Sequence, residues 1–130
     1  MKRSNIDAMI CKQEGITEIT RDEIHRIQLE KLNIVLKREK EREGFYRDLP
    51  ERLESLIDLR SLPFTTETDL ARDGGRMLLC SQGEVQKVIS EQTSGTTGAG
   101  KRVFYTEGDC EHTIELFMAC LLYTSPSPRD

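Results

Sequence analysis

The sequence predicts an α/β fold in which helices occupy the first half of the chain and a strand–loop–strand unit occupies the second. Three observations lead to this prediction. Apolar residues recur at helical spacing between residues 20 and 43, β-branched and aromatic residues lie on both sides of a glycine-rich stretch, and a helical pattern follows residue 109. No internal repeat interrupts this order. This order is the one expected for the opening part of an α/β domain.

The first predicted helix begins after Thr20 and runs to about Glu43. Thr20 and Glu23 have the spacing of a capping box, in which each side chain satisfies a backbone N–H at the start of a helix. The alternating charges of residues 37–43 predict a solvated helix face rather than a nucleic-acid patch, and Gly44 predicts the end of the helix. An apolar stripe follows the helical period: Ile24, Ile27, Leu32, Val35 and Leu36.

Three further helices are predicted from shorter signals. Pro50 favours the start of a helix, which would carry Leu53, Leu56 and Ile57. Thr66 with Asp69 indicates a short helix, and the pattern of residues 111–119 indicates a longer one.

Strands are predicted near Met77 to Cys80, over Val85 to Ile89, and over residues 103–106. The last two are separated by a segment that no helix or strand pattern covers. This segment therefore reads as the loop of a strand–loop–strand connection.

The loop combines three glycines, four hydroxyl side chains and a lysine in nine residues: Thr93, Ser94, Gly95, Thr96, Thr97, Gly98, Ala99, Gly100 and Lys101. Glycine lets backbone N–H groups approach phosphate oxygens, because it has no Cβ. Hydroxyls are neutral donors, and the lysine ammonium is a mobile point charge. The composition predicts a polyphosphate-binding loop, and the order and spacing argue against the alternative of a flexible linker or hairpin tip without a ligand.

The loop also satisfies the Gly-x-x-x-x-Gly-Lys frame of a Walker A motif, through Gly95, Gly100 and Lys101. That motif needs Ser or Thr after the lysine and a helix that begins there. Arg102 occupies the next position, and residues 103–106 are typical of a strand. The sequence therefore points away from Walker A.

The pattern Thr93-Ser94-Gly95-Thr96-Thr97-Gly98-x-x-Lys101 resembles the phosphate-binding signature of the adenylate-forming enzymes, the family of acyl- and aryl-CoA ligases and their relatives. The flanking segments are similar to phenylacetate-CoA ligase-like members in three places: residues 44–46, residues 62–70 and residues 102–106. The resemblance covers roughly residues 20–119. At position 100 many members carry proline, whereas this chain has glycine. This difference bears on the affinity of the loop for phosphate more than on the assignment to the family.

The resemblance implies a two-step reaction. A carboxylate attacks the α-phosphate of ATP, with Mg²⁺, to give an acyl adenylate and pyrophosphate, and a thiol such as CoA usually takes the acyl group. Ser94, Thr96, Thr97 and Lys101 would stabilise the charge on the leaving pyrophosphate. The family's catalytic lysine and its adenine- and ribose-binding residues would follow the signature, so no catalytic residue is assigned in this chain. An aryl acid, a fatty acid and an amino acid all remain open as substrate.

Length adds a further expectation, because 130 residues make one modest domain whereas such ligases are several-fold larger. We expect residues 1–119 to be a partial N-terminal AMP-binding domain. Residues 120–130, with Pro126 and Pro128, read as a non-native or disordered tail, with a natural Pro/Ser tail as the alternative. A small non-catalytic phosphate-binding or interaction module stays open as a second function.

Composition argues against several other classes. The net charge of −4 lacks the basic excess that nucleic-acid or anionic-membrane binding favours, and no apolar stretch reaches the ~20 residues of a membrane span. The four cysteines lack a C-x-x-C pair, which predicts reduced thiols in a cytoplasmic protein and no zinc site. His25 and His112 are interpreted as surface residues. The acids at positions 107, 109 and 111 are interpreted as a helix start rather than a magnesium site.

Overall fold

Four α-helices and a two-stranded sheet follow one another along the described part of the chain. The structure is a computed structural model that describes the backbone of residues 4–91 and 101–124 and the side chains of residues 4–90 and 101–121. The helices are α1 (Asn5–Glu14), α2 (Arg21–Glu41), α3 (Glu67–Asp73) and α4 (Glu107–Thr124), and the strands are β1 (Val85–Glu91) and β2 (Lys101–Thr106). Three short 3₁₀ helices span Leu56–Ser61, Gly74–Met77 and Gln82–Glu84. The predicted α/β class and the order of helices before strands are thus confirmed, and this arrangement is compatible with a partial domain.

Side-chain caps explain where the helices begin. Thr20 caps α2 as predicted, since its hydroxyl accepts from the backbone N–H of Glu23 at 3.2 Å. The carboxylate of Glu23 pairs instead with Arg26, at 2.8 Å. Helix α1 was not predicted, although Ser4 and Asp7 form a complete capping box at its start. That Ser-x-x-Asp spacing was the available signal.

The end of α2 differs from the prediction in the residue that turns the chain. Glu43, not Gly44, adopts the left-handed conformation, with φ of 49°. The N–H of Gly44 donates to the carbonyl of Glu39 at 2.9 Å, and the N–H of Glu43 donates to that of Lys40 at 3.3 Å. These two bonds form a Schellman motif, which satisfies carbonyls that the helix leaves unpaired.

The predicted solvated face of residues 37–43 is wrong at one position. Glu39 is only 4% exposed, and its carboxylate accepts from the backbone N–H of Tyr46 at 3.1 Å. The predicted apolar stripe is also wrong at Val35, which is 47% exposed, whereas Ile27 and Leu36 are buried. The chain folds back at Gly44, so a side chain that a helical wheel places in solvent becomes covered.

No helix begins at Pro50, so this prediction is wrong. Asn33 on α2 binds the backbone of this segment instead: its amide donates to the carbonyl of Leu53 at 3.0 Å and accepts from the Leu53 N–H at 2.8 Å. The 3₁₀ helix starts later, behind a capping box of Ser55 and Asp58. A tertiary pair of hydrogen bonds has therefore overridden the local helix signal.

The strand predicted near Met77 to Cys80 is wrong too. Met77 ends a 3₁₀ helix, and residues 78–80 form no strand. Helix α4 extends beyond the predicted 111–119 at both ends, beginning at Glu107 and running to Thr124.

Within the described residues, the buried hydrophobic side chains are few and come from distant parts of the chain: Cys11, Ile27, Leu36, Leu53 and Ala119. Helix α1 packs against α4, where the Gln13 amide donates to the Glu115 carboxylate at 3.0 Å. An ion pair between Lys31 and Glu14 joins α1 to α2. The four cysteines are present as thiols. Within the described residues, no helix combines the length and apolar character needed to cross a membrane.

The predicted short helix α3 is confirmed, with a complete capping box between Thr66 and Asp69. We expect Thr66→Ala to lower the free energy of unfolding by about 1 kcal/mol, because one N–H at the start of α3 loses its acceptor. A urea melt of the variant tests this. Thr68→Ala is the matched control, since Thr68 lies in the same turn and is exposed. Equal midpoints for the two variants would contradict the capping role.

Candidate functional site

Strands β1 and β2 hold the two ends of the glycine-rich segment side by side. They pair antiparallel, with Val88 opposite Phe104 and Glu91 opposite Lys101 as the last pair before the loop. Directly opposed residues in such a ladder lie about 5 Å apart at Cα. The two flanking strands of the predicted strand–loop–strand connection are therefore confirmed, and they pair with each other. The predicted phosphate-binding residues of the loop lie outside the described residues, and their role stays a prediction: Thr93, Ser94, Gly95, Thr96, Thr97 and Gly98.

Lys101 is the predicted site residue that the structure describes, and it is the first residue of β2. The next helix, α4, begins only at Glu107. A Walker A lysine instead lies at the start of a helix whose N–H groups receive the phosphate. The strand after Lys101 therefore excludes that geometry, as the sequence predicted.

The ammonium group of Lys101 forms an ion pair with a residue that the sequence did not single out. Its Nζ lies 2.5 Å from Oε1 of Glu67, the first residue of α3. The Lys101 side chain is 32% exposed and that of Glu67 is 75% exposed. The hydrogen bond from Lys101, and then its charge, lower the pKa of Glu67 below its ordinary value. The carboxylate is thus ionised at neutral pH and faces the lysine as a full charge.

A series of contacts sets the position of α3 relative to this lysine. The hydroxyl of Tyr46 hydrogen-bonds with that of Thr65, directly before the Thr66 cap of α3. The backbone N–H of Tyr46 is in turn held by the buried carboxylate of Glu39 on α2. Local sequence signals place the cap, but nothing in the sequence indicates that Glu67 meets a lysine 34 residues away.

The two histidines and the acids near residue 109 lie at the surface or at the start of a helix. His25 and His112 are exposed, as predicted. Asp109 accepts from the Thr106 N–H at 2.9 Å, while its own N–H donates to the Thr106 hydroxyl at 3.2 Å, so the two residues form a capping box in which Thr106 caps α4. Across residues 4–91 and 101–124, no three His, Cys, Asp or Glu side chains are arranged to hold a metal ion.

A groove of about 670 Å³ lies apart from the hairpin residues, along α2. Its lining includes Leu29, Asn33 and Ile34 of that helix, and Glu51 and Arg52 of the segment opposite. It contains no residue of β1, β2 or α3, and we assign it no part in phosphate binding.

Two ionised acids of α3, Glu67 and Asp69, predict a loss of stability in acid. Hydrogen bonds from the N–H and hydroxyl of Thr66 lower the pKa of Asp69, as Lys101 lowers that of Glu67. A carboxyl whose pKa is lowered by folding contributes stability that is complete above its ordinary pKa and is lost as the pH falls through the lowered value. We therefore expect the urea midpoint to stay level down to about pH 5 and to fall below about pH 4.

This pH dependence has a direct control. The variant Asp69→Asn removes one of the described carboxyls whose pKa is lowered, which also include Glu84 and Asp109. Its midpoint should therefore fall less steeply in acid than that of the parent chain. A parent midpoint that rises between about pH 5 and pH 3 would contradict the assignment.

Comparison with known proteins finds a distant similarity. The chain is 30% identical over 126 residues to the phenylacetate-coenzyme A ligase of Escherichia coli (strain K12), an alignment that covers 92% of this chain and 29% of that protein. No protein-family model matches the chain, and no solved structure matches it. The chain thus spans less than a third of the relative's length, and the similarity is distant and partial. It agrees with the resemblance that the loop and its flanks predicted.

Proposed function

We propose that this chain supplies the phosphate-binding loop of an ATP-dependent ligase, which activates a carboxylate as an acyl adenylate and transfers the acyl group to CoA. The observation that carries the proposal is the glycine- and hydroxyl-rich segment that ends in Lys101, between paired antiparallel strands. The partial similarity to a protein named phenylacetate-coenzyme A ligase supports the same reaction class. An aryl acid such as phenylacetate is therefore the first substrate to test.

The residues of the loop would act on the leaving group. When the carboxylate oxygen bonds to the α-phosphorus of ATP, the bond between that phosphorus and the oxygen bridging to the β-phosphorus breaks. The bridging oxygen leaves with pyrophosphate, on which negative charge develops. Backbone N–H groups at Gly95 and Gly98, hydroxyls at Ser94, Thr96 and Thr97, and the Lys101 ammonium would stabilise that charge. Donors fixed before the reaction lower the barrier, because they need no reorganisation when the charge appears.

Mg²⁺ would neutralise part of the phosphate charge in such a reaction. The described residues bring no three suitable ligands together, so this part of the chain does not provide a protein cage for the ion. Mg²⁺ commonly binds through substrate phosphates with one or two carboxylates, and ATP itself would carry it here.

The test is the carboxylate-dependent exchange of labelled pyrophosphate into ATP, measured on the gene product that contains these 130 residues. We expect exchange that requires a carboxylic acid, with phenylacetate compared against fatty acids and amino acids. Subsequent addition of CoA should yield the acyl thioester. A pure, folded gene product that exchanges no pyrophosphate with any of these acids would contradict the proposal and favour a small phosphate-binding module.

A further inference from the structure

The ion pair between Glu67 and Lys101 joins the predicted phosphate loop to helix α3. Lys101 is the residue at which the loop re-enters the sheet, and the N–O distance of 2.5 Å means that a donor of its ammonium group already has an anionic acceptor. An ammonium has three donors and one charge. A phosphate oxygen that uses this charge must therefore compete with the Glu67 carboxylate for it.

The backbone around Glu67 is anchored by hydrogen bonds of its neighbours. Glu67 directly follows the Thr66 cap, whose hydroxyl and N–H bind the Asp69 carboxylate at 2.7 and 2.8 Å. The Tyr46–Thr65 hydrogen bond fixes the residue that precedes this cap. The backbone that carries the acid is thus anchored on both sides, whereas Lys101 has a long, flexible side chain. When the lysine side chain turns toward a phosphate, the backbone that carries Glu67 therefore stays in place.

Exposure sets the size of this competition. The Glu67 side chain is 75% exposed, so water screens the pair and its free energy is small. A polyphosphate presents several charges and displaces such a partner readily. Glu67 therefore binds Lys101 weakly enough for a polyphosphate to displace it. Breaking the ion pair nevertheless lowers the affinity of the loop for the polyphosphate.

We propose that Glu67 sets the affinity of the loop for pyrophosphate by competing with the phosphate oxygens for Lys101. Glu67 takes the ammonium back as pyrophosphate leaves, so it favours product release. This inference rests on the proposed function, since it needs Lys101 to contact the phosphates. Its alternative is a positioning role, in which Glu67 directs Lys101 toward the phosphates and raises the affinity.

The experiment measures pyrophosphate binding by isothermal titration calorimetry, on the gene product that contains this chain. The variants are Glu67→Gln, Lys101→Ala and the double variant. Glu107→Gln is the matched control, because Glu107 is also an exposed glutamate at the first position of a helix, after a threonine and two residues before an aspartate. Both glutamine variants remove one negative charge and keep the side-chain shape. Urea midpoints confirm that each variant is folded.

We expect Glu67→Gln to bind pyrophosphate about two- to five-fold more tightly, which is the range of an exposed ion pair. Glu107→Gln should bind like the parent, and Glu67→Gln should have no effect when Lys101 is alanine. Parent-like or weaker binding by Glu67→Gln would overturn the competition and leave the proposed function standing. An equal gain in the Lys101→Ala background would also overturn it, because Glu67 would then act by repulsion alone. Absence of pyrophosphate binding in the parent and in Glu67→Gln would overturn both this inference and the proposed function.

Discussion

Replacing Lys101 by alanine should lower carboxylate-dependent pyrophosphate–ATP exchange by about 100-fold, the usual effect of removing one donor that stabilises transition-state charge. Lys101 is the cation that directly follows the hydroxyl-rich segment, at the first position of β2. Its loss removes a positive charge from the pyrophosphate that departs, and it also leaves the Glu67 carboxylate without its partner. Initial rates of exchange at saturating ATP and carboxylate give the measurement.

Lys87→Ala is the control for this prediction. Lys87 is exposed and lies on β1 opposite Tyr105, four residues along β2 from Lys101. At about 3.3 Å per residue, that position is roughly 13 Å along the strand from Lys101. We expect less than a three-fold change, consistent with a charge beyond the Debye length of about 10 Å. If Lys87→Ala and Lys101→Ala lower exchange equally, the effect comes from the net charge of the protein and not from the position of Lys101.

Thr96→Ala should lower the same exchange activity as well, because it removes one hydroxyl donor from the loop.

Replacing Gly44 by alanine should lower the free energy of unfolding by about 2 kcal/mol, the middle of the range for overpacking a filled site. A Cβ at this position would lie 2.0 Å from Oε2 of Glu39 and 2.7 Å from a methyl carbon of Leu79. Glu39 cannot move away freely, because it is 4% exposed and that same oxygen accepts from the Tyr46 N–H. The measurement is the shift of the urea midpoint at constant slope.

Gly74→Ala provides the control, because a Cβ there meets nothing within 4 Å and Gly74 has helical φ and ψ of −53° and −33°. Alanine is compatible with that conformation and should be neutral or stabilising by up to about 1 kcal/mol. Equal destabilisation by the two variants would show that the cost comes from losing a glycine in general, and the packing argument at Gly44 would fail.

The Gly44 prediction extends to the candidate site. Displacing the Glu39 carboxylate removes the acceptor of the Tyr46 N–H, and Tyr46 in turn contacts Thr65 before α3. We therefore expect Gly44→Ala to shift the position of Glu67 relative to Lys101, and so to alter pyrophosphate affinity where Gly74→Ala does not.

Several features of the fold could be predicted from local sequence because the interactions that create them are themselves local. The Thr20 and Thr66 caps bind backbone groups three residues away, so their positions are visible in the sequence. The β-branched and aromatic runs on either side of the loop predicted β1 and β2 for the same reason. The loop composition and its order likewise suggested a phosphate site and a ligase-like relative without any coordinates.

The predictions that failed depend on partners far away in the chain. Pro50 favours a helix locally, but Asn33 engages the N–H and carbonyl of Leu53 in two hydrogen bonds across 20 residues. The pattern of charges on α2 predicts an exposed Glu39, yet the chain returns at Gly44 and buries that carboxylate. Glu67 becomes the partner of Lys101 only when α3 packs beside β2. The caps, the strands and the chemistry of the loop thus follow from residues that are neighbours in sequence. Burial and the choice of ion-pair partners depend on which distant segments come into contact, and only the packed chain determines that.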